Sequence, residues 1–239
     1  MKYLTAAPAD YVTTQRSMGA ITAKYPFVCK VPLDCSAQGR RIDALMLCCP
    51  GKTQSGRVLL TAAENGCDWF STLVLLRFCE EVCHCLQNDL QMVGVNVRRA
   101  LIGRTVVMLP QVNPDGVEAF LRKEAELPPD LSAIHALCRR LRLRHATVLR
   151  TVGGQIRWNH GKNTPVPTRM MAEIMACSAN FTTAAFSAPE DTFCRWFVEN
   201  MRQPAFSIDL GAKENSPPIE DMPAIGKRVR ELLLLNSML

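Results

Sequence analysis

A short apolar run, Leu59–Ala63, breaks into the polar turn Glu64-Asn65-Gly66, and Asp68 then stands directly before a second apolar run, Trp69–Val74. Four aliphatic residues and one threonine suit a buried strand. Asp68 occupies the position of a helix N-cap, so the second run predicts a helix. A strand that turns straight into a helix points to an α/β sheet. In such sheets ligands and chemistry collect at the carboxyl ends of the strands. Asn65, Cys67 and Asp68 are therefore the first candidate functional residues.

The alternation continues along the chain. Phe27–Val31 and Arg41–Leu47 predict two strands joined by a polar turn over Asp34–Gly39. Trp69, Leu73, Leu76, Cys79, Val82, Cys83 and Leu86 recur at helical spacing and predict a helix over Asp68–Leu86. Arg104–Leu109 is a β-branched strand that enters the turn Pro110–Val117, PQVNPDGV. Asp130–Leu141 reads as an amphipathic helix with Asp130 as its cap. His145–Leu149 predicts a strand, and Val152–Trp158 carries a turn at Gly153-Gly154. Thr168–Ser178 predicts a helix, Pro204–Leu210 a strand and Asp221–Leu235 a last helix, while Thr13–Tyr25 suits a short lead-in helix. The expected fold is a single α/β domain over residues 27–239, after a lead-in over 1–26. Its sheet is mixed and mostly parallel, with helices on both faces.

Aromatic residues make up 6% of a chain that is 48% hydrophobic, so the core must be mainly aliphatic. The net charge of +6 is spread out except at Arg139–His145, RRLRLRH, which reads as a solvated helix end. No basic face dense enough for nucleic acid is expected. No apolar run approaches the ~18 residues of a membrane span, and the first residues lack the apolar core of a signal peptide. Eleven cysteines without a framework spacing predict free, largely buried thiols and a cytoplasmic protein.

Several stretches together resemble the zinc carboxypeptidase family, nearest its γ-D-glutamyl–diamino-acid peptidase branch. In that family a strand runs into His-x-x-Glu-Trp, and here Gly66 and Trp69 match while Asn65 and Asp68 stand at the ligand positions. The strand entering Pro-x-x-Asn-Pro-Asp-Gly matches Pro110–Gly116, and a Gly-Arg pair matches Gly39-Arg40. Thr147–Trp158 fits the strand end of the third ligand, with Arg150 at the His position. Phe206–Gly211 fits the general-base strand, with Asp209 at the Glu position. Phe181 falls near a tyrosine of the family, and Glu214–Pro217 is similar to the branch's Glu-Asn-Pro.

The resemblance implies a phosphorylase/hydrolase-like fold and zinc-dependent peptide hydrolysis, the metal activating water and the glutamate acting as base. The substituted positions argue against that chemistry. Asparagine offers only a neutral amide oxygen. Aspartate is shorter than glutamate by ~1.5 Å. A guanidinium has no lone pair to donate. The family's substrate-carboxylate arginines have no counterpart, because Glu118 runs through a short charged stretch into the Asp130 helix. Arg122 and Lys123 match no motif there. The expectation is an inactive relative that binds a peptide or protein partner and no zinc, with Arg150 filling the metal's place against Asp68, Asp209 or both. The alternative is an active zinc hydrolase using Asp68, Asp209 and either His160 or Cys67. Otherwise His160 is a stray loop histidine. Cys67 is a thiol at a helix N-terminus, and Cys79, Cys83 and Cys85 are buried helix cysteines beside His84.

Overall fold

The computed structural model describes residues 8–52, 56–185, 192–214 and 217–239. In chain order the elements begin with α1 (Tyr11–Lys24), β1 (Val28–Cys35), β2 (Arg41–Cys48), β3 (Gly56–Ala62) and α2 (Trp69–Asn88). A two-strand ribbon, β4 (Gln91–Met92) and β5 (Val95–Asn96), leads to α3 (Val97–Leu101), β6 (Arg104–Leu109) and α4 (Pro114–Leu121). Then follow α5 (Ser132–Arg140), β7 (Leu143–Val152), β8 (Gln155–Arg157), α6 (Thr168–Ala179) and β9 (Thr182–Ala184). The chain closes with α7 (Thr192–Met201), β10 (Ala205–Ala212) and α8 (Met222–Met238).

Eight strands form one sheet in the order β1-β2-β6-β3-β7-β10-β8-β9. The centre, β6-β3-β7-β10, is parallel throughout. β2 joins it antiparallel on one side and β8 antiparallel on the other. The expected mixed, mostly parallel sheet is therefore present, and strand alternation divides its core in two. Val58, Leu60 and Ala62 of β3 face a layer with Phe70 and Leu73 of α2, Met175 of α6 and Leu232 of α8. Leu59 faces the opposite layer, with Ile134 and Leu137 of α5 and Phe193 and Phe197 of α7. The aliphatic runs read from the sequence serve this purpose, since a central parallel strand is buried on both faces. The lead-in is part of the packing, because Met18 and Ile21 of α1 belong to the first layer.

Two local expectations are corrected. α5 starts after Leu131, and Asp130 instead accepts the Ser132 N–H at 2.9 Å. The segment after the NPDG turn is a helix, α4, capped by Asn113, whose Oδ1 accepts the Gly116 N–H at 2.9 Å. Among the described residues no helix is long and apolar enough to cross a membrane. All eleven cysteines are free, and Cys49, Cys79, Cys83, Cys85, Cys138 and Cys194 are buried.

One polar group inside this core has a consequence for stability. His145 of β7 is fully buried, and its Nε2 lies 3.3 Å from Asn236 Oδ1 of α8. Asn236 in turn donates to Thr147 Oγ1 at 2.9 Å. Burial pushes the imidazole down from 6.5 to about 4, against a smaller upward pull from Asn236. Between these values the unfolded chain binds the proton and the folded one does not, so stability falls as pH drops. The expected loss from pH 7 to pH 5 is about 2 kcal/mol. Urea titrations at the two pH values check it, and His145→Phe should flatten the difference.

Candidate active site

The turn after β3 is held in a strained shape. Ala63 has φ +50°, the left-handed region that a side chain disfavours. Its N–H donates to Ser71 Oγ at 3.0 Å, and its carbonyl accepts the Asn113 N–H at 3.0 Å. Ser71 O–H donates to the Asp68 carbonyl at 2.7 Å. The turn is thus tied to α2 on one side and to the loop before α4 on the other. Residues Gly66–Asp68 form a single 3-10 turn, and Asp68 is the last residue before α2.

Asp68 does not cap the helix with its side chain. The carboxylate reaches across to β7, where Oδ1 accepts the Thr151 N–H at 2.8 Å. Oδ2 accepts from Asn65 Nδ2 at 3.3 Å. Burial pushes the Asp68 carboxyl up, and the Thr151 N–H, the Arg150 charge and the Asn65 amide pull it back without cancelling the rise. Arg150 is half-buried next to Thr151, and its charge acts on Asp68 and on Cys67. Asn65, Asp68 and Arg150, distant in sequence, are therefore neighbours at the carboxyl ends of β3 and β7.

Asp209 lies beside them. In the parallel register of β10 on β7 it is opposite Arg150. Its carboxylate is buried and forms an ion pair with Arg157 of β8, Oδ2 to Nη2 at 2.9 Å. Sequence reasoning passed over Arg157, the middle residue of Ile156-Arg157-Trp158. Only the antiparallel register, Ser207 opposite Arg157, brings it to Asp209. Gly153, φ +101°, makes room for the carboxylate: a Cβ there would sit 2.9 Å from Asp209 Oδ2. Phe181, at the end of α6, places its ring edge near Gly154 and Gly211.

The sequence profile of the zinc carboxypeptidase family matches residues 14–215. The chain belongs to the zinc carboxypeptidase family. A γ-D-glutamyl-L-diamino acid endopeptidase of Lysinibacillus sphaericus is 19% identical over 290 aligned positions, covering 96% of this chain and 72% of the relative. Thrombin-activatable fibrinolysis inhibitor superposes with a TM-score of 0.81 at 11% identity, covering 98% of this chain and 74% of that one. A metallo-carboxypeptidase from Burkholderia cenocepacia gives 0.67 at 15% identity, covering 96% and 70%. These superpositions place the fold among the metallocarboxypeptidases.

Whether these residues can hold the family's metal is a matter of donors. Both Asp68 oxygens already accept N–H groups, one from the backbone and one from Asn65. Asn65 is neutral, and Arg150 adds a positive charge without a lone pair. This donor set does not fit a zinc ion, which takes thiolate, imidazole or free carboxylate ligands. Among the described residues, no three His, Cys, Asp or Glu side chains are grouped to hold a metal ion.

The remaining candidates separate. His160 lies on a loop and is buried, and its Nε2 is 3.1 Å from the Arg157 carbonyl. The Cys67 thiol is pushed up to about 11, first by burial and then by Asp68 and Glu126. A thiolate is therefore disfavoured at neutral pH. In α2, Cys79 and Cys83 are buried and His84 is exposed, as helical spacing required, whereas Cys85, which that spacing turns away with His84, is buried too. In the Glu214–Pro217 stretch, Asn215 and Ser216 lie outside the described residues.

Proposed function

We propose that this member of the zinc carboxypeptidase family has lost the catalytic apparatus and uses the old cleft to bind a peptide or protein partner. The single observation that carries the reading is half-buried Arg150, whose charge acts on the buried Asp68 carboxylate, at the position where the family resemblance calls for the third metal ligand. A cation there opposes a zinc ion, and no rotamer of arginine supplies a lone pair. The engagement of Asp209 by Arg157 supports the same reading, because a carboxylate already in an ion pair is a poor base toward water. The eleven free thiols support a reducing, cytoplasmic setting.

Metal content tests this directly. Protein purified without chelator, then dialysed against zinc and buffer, should retain far less than one zinc per chain by mass spectrometry. It should also leave acylated dipeptides and γ-glutamyl peptides uncut. One tightly held zinc per chain together with peptide hydrolysis would overturn the reading.

A further inference from the structure

Next to the Asp209 turn, at the carboxyl ends of β7 and β10, lies a cavity of about 550 Å³. Its walls include Gly153, Gly154, Asn180, Phe181, Gly211 and Arg228. The volume falls within the ~300–1,000 Å³ of ordinary ligand sites. Arg228 comes from the first half of α8, is exposed, and makes no hydrogen bond or ion pair among the described residues. Arg157 and Arg77 behave otherwise: Arg157 holds Asp209, and Arg77 holds Glu81.

The backbone is shaped around this side chain. Gly211 has φ +88°, and a Cβ there would sit 2.7 Å from Arg228 Nη1. The guanidinium thus lies directly over a bare stretch of β10. On the same wall the Phe181 ring lies near Gly211, 3.6 Å from the place of that Cβ. The cavity therefore combines a cationic fork, an aromatic ring and glycine backbone that leaves room for a ligand.

We infer that this cavity is an anion subsite of the old cleft, binding the carboxylate of an acidic peptide at Arg228 with its aliphatic part against Phe181. The inference rests on the peptide-binding reading above and adds the class of peptide. A guanidinium fork recognises a carboxylate through two parallel N–H bonds, which a lysine cannot reproduce.

Three capped tripeptides serve as probes in calorimetric titrations: acetyl-Ala-Glu-Ala-amide, acetyl-Ala-Gln-Ala-amide and acetyl-Ala-Ala-Ala with a free terminal carboxylate. Inorganic phosphate is a fourth. A carboxylate peptide should bind at least about tenfold more tightly than the glutamine peptide, and R228Q should bring the two to parity. Arg228→Lys should recover only part of the difference. Preference for the Glu peptide would place a side-chain carboxylate at the site, and preference for the free acid a terminal one. Both results support the inference. A preference that survives in R228Q overturns it, as does phosphate binding tighter than either carboxylate peptide. Equal binding of Glu and Gln peptides, with amide shifts around Asn65 and Arg150, sinks the anion subsite and leaves the peptide cleft standing. Absence of binding by all three peptides sinks both. Arg228 is exposed, so circular dichroism should show R228Q folded as the native protein is.

Discussion

Gly66→Ala is expected to destabilise the protein by more than about 3 kcal/mol, or to prevent folding. The new Cβ would sit 2.1 Å from the Gly116 carbonyl oxygen and 2.6 Å from its carbon. Both are backbone atoms in the first turn of α4, so no side-chain rotation relieves the clash. Gly116 cannot retreat, because its own Cβ position lies 2.8 Å from the Leu127 carbonyl and 2.3 Å from the Asn113 amide that caps the helix. Overpacking a core commonly costs about 1–3 kcal/mol, and backbone against backbone lies beyond that range. Urea unfolding followed by tryptophan fluorescence measures it. Gly19→Ala is the internal comparison: nothing lies within 4 Å of its Cβ position in α1, and the change should stabilise by about 0.5–1 kcal/mol. A Gly66→Ala protein as stable as the native one would mean that the two turns are not in backbone contact.

Asp115→Asn carries the second largest expected effect, a loss of about 3 kcal/mol. The Asp115 carboxylate joins α4 to the β1–β2 turn. It accepts from Ser36 Oγ at 2.7 Å, from the Gln38 N–H at 3.0 Å and from Arg40 Nη1 at 2.6 Å. The side chain is 8% exposed and its Arg40 partner 17%. An amide in its place turns one acceptor into a donor and leaves the guanidinium uncompensated. Breaking such a buried pair typically costs about 3–5 kcal/mol. Partial access of Arg40 to water places the expectation at the lower end. Burial pushes the Asp115 carboxyl up, but the bonds from Ser36, Arg40 and Gln38 outweigh it and hold it below its ordinary 3.8. This contribution is therefore present above that value and is lost as pH falls through the folded-state value. Chemical unfolding of the native, Asp115→Asn and Arg40→Ala proteins and the double variant gives the coupling. Additive losses would show that the pair is not coupled.

The strands and long helices were legible because their signal is local. Seven apolar residues at helical spacing placed α2 within two residues of its bounds. β6 announced itself by its β-branched run. α4 was hidden by its own sequence: proline, aspartate and glycine signal a turn, yet proline suits the first position of a helix and Asn113 caps it. α7 went unread although Phe193, Cys194, Phe197 and Val198 lie at helical spacing and are buried. β8 and β9 have three residues each, too few to show alternation. At the site, positions could be read but not orientations. Asp68 sits where a cap belongs, but its acceptor duty is to Thr151, 83 residues away. Arg157 meets Asp209 only through strand register. Arg150 does stand opposite Asp209 in the strand register, and the same carboxylate also holds Arg157, which the sequence did not single out.

The Asp68–Thr151 bond bears on how a metal site could be built at these positions. Its carboxylate is now a strut between the β3 turn and β7, and any change of side-chain length at that position loosens the sheet edge before it gains a ligand. A longer acid at position 68 has no use while Arg150 keeps its charge, and removing Arg150 leaves a buried acid with less support. Each single step toward a zinc-ligand set at these positions thus passes through a weaker protein. Such a landscape acts as a lock: a ligand set assembled one residue at a time meets a stability loss at each step.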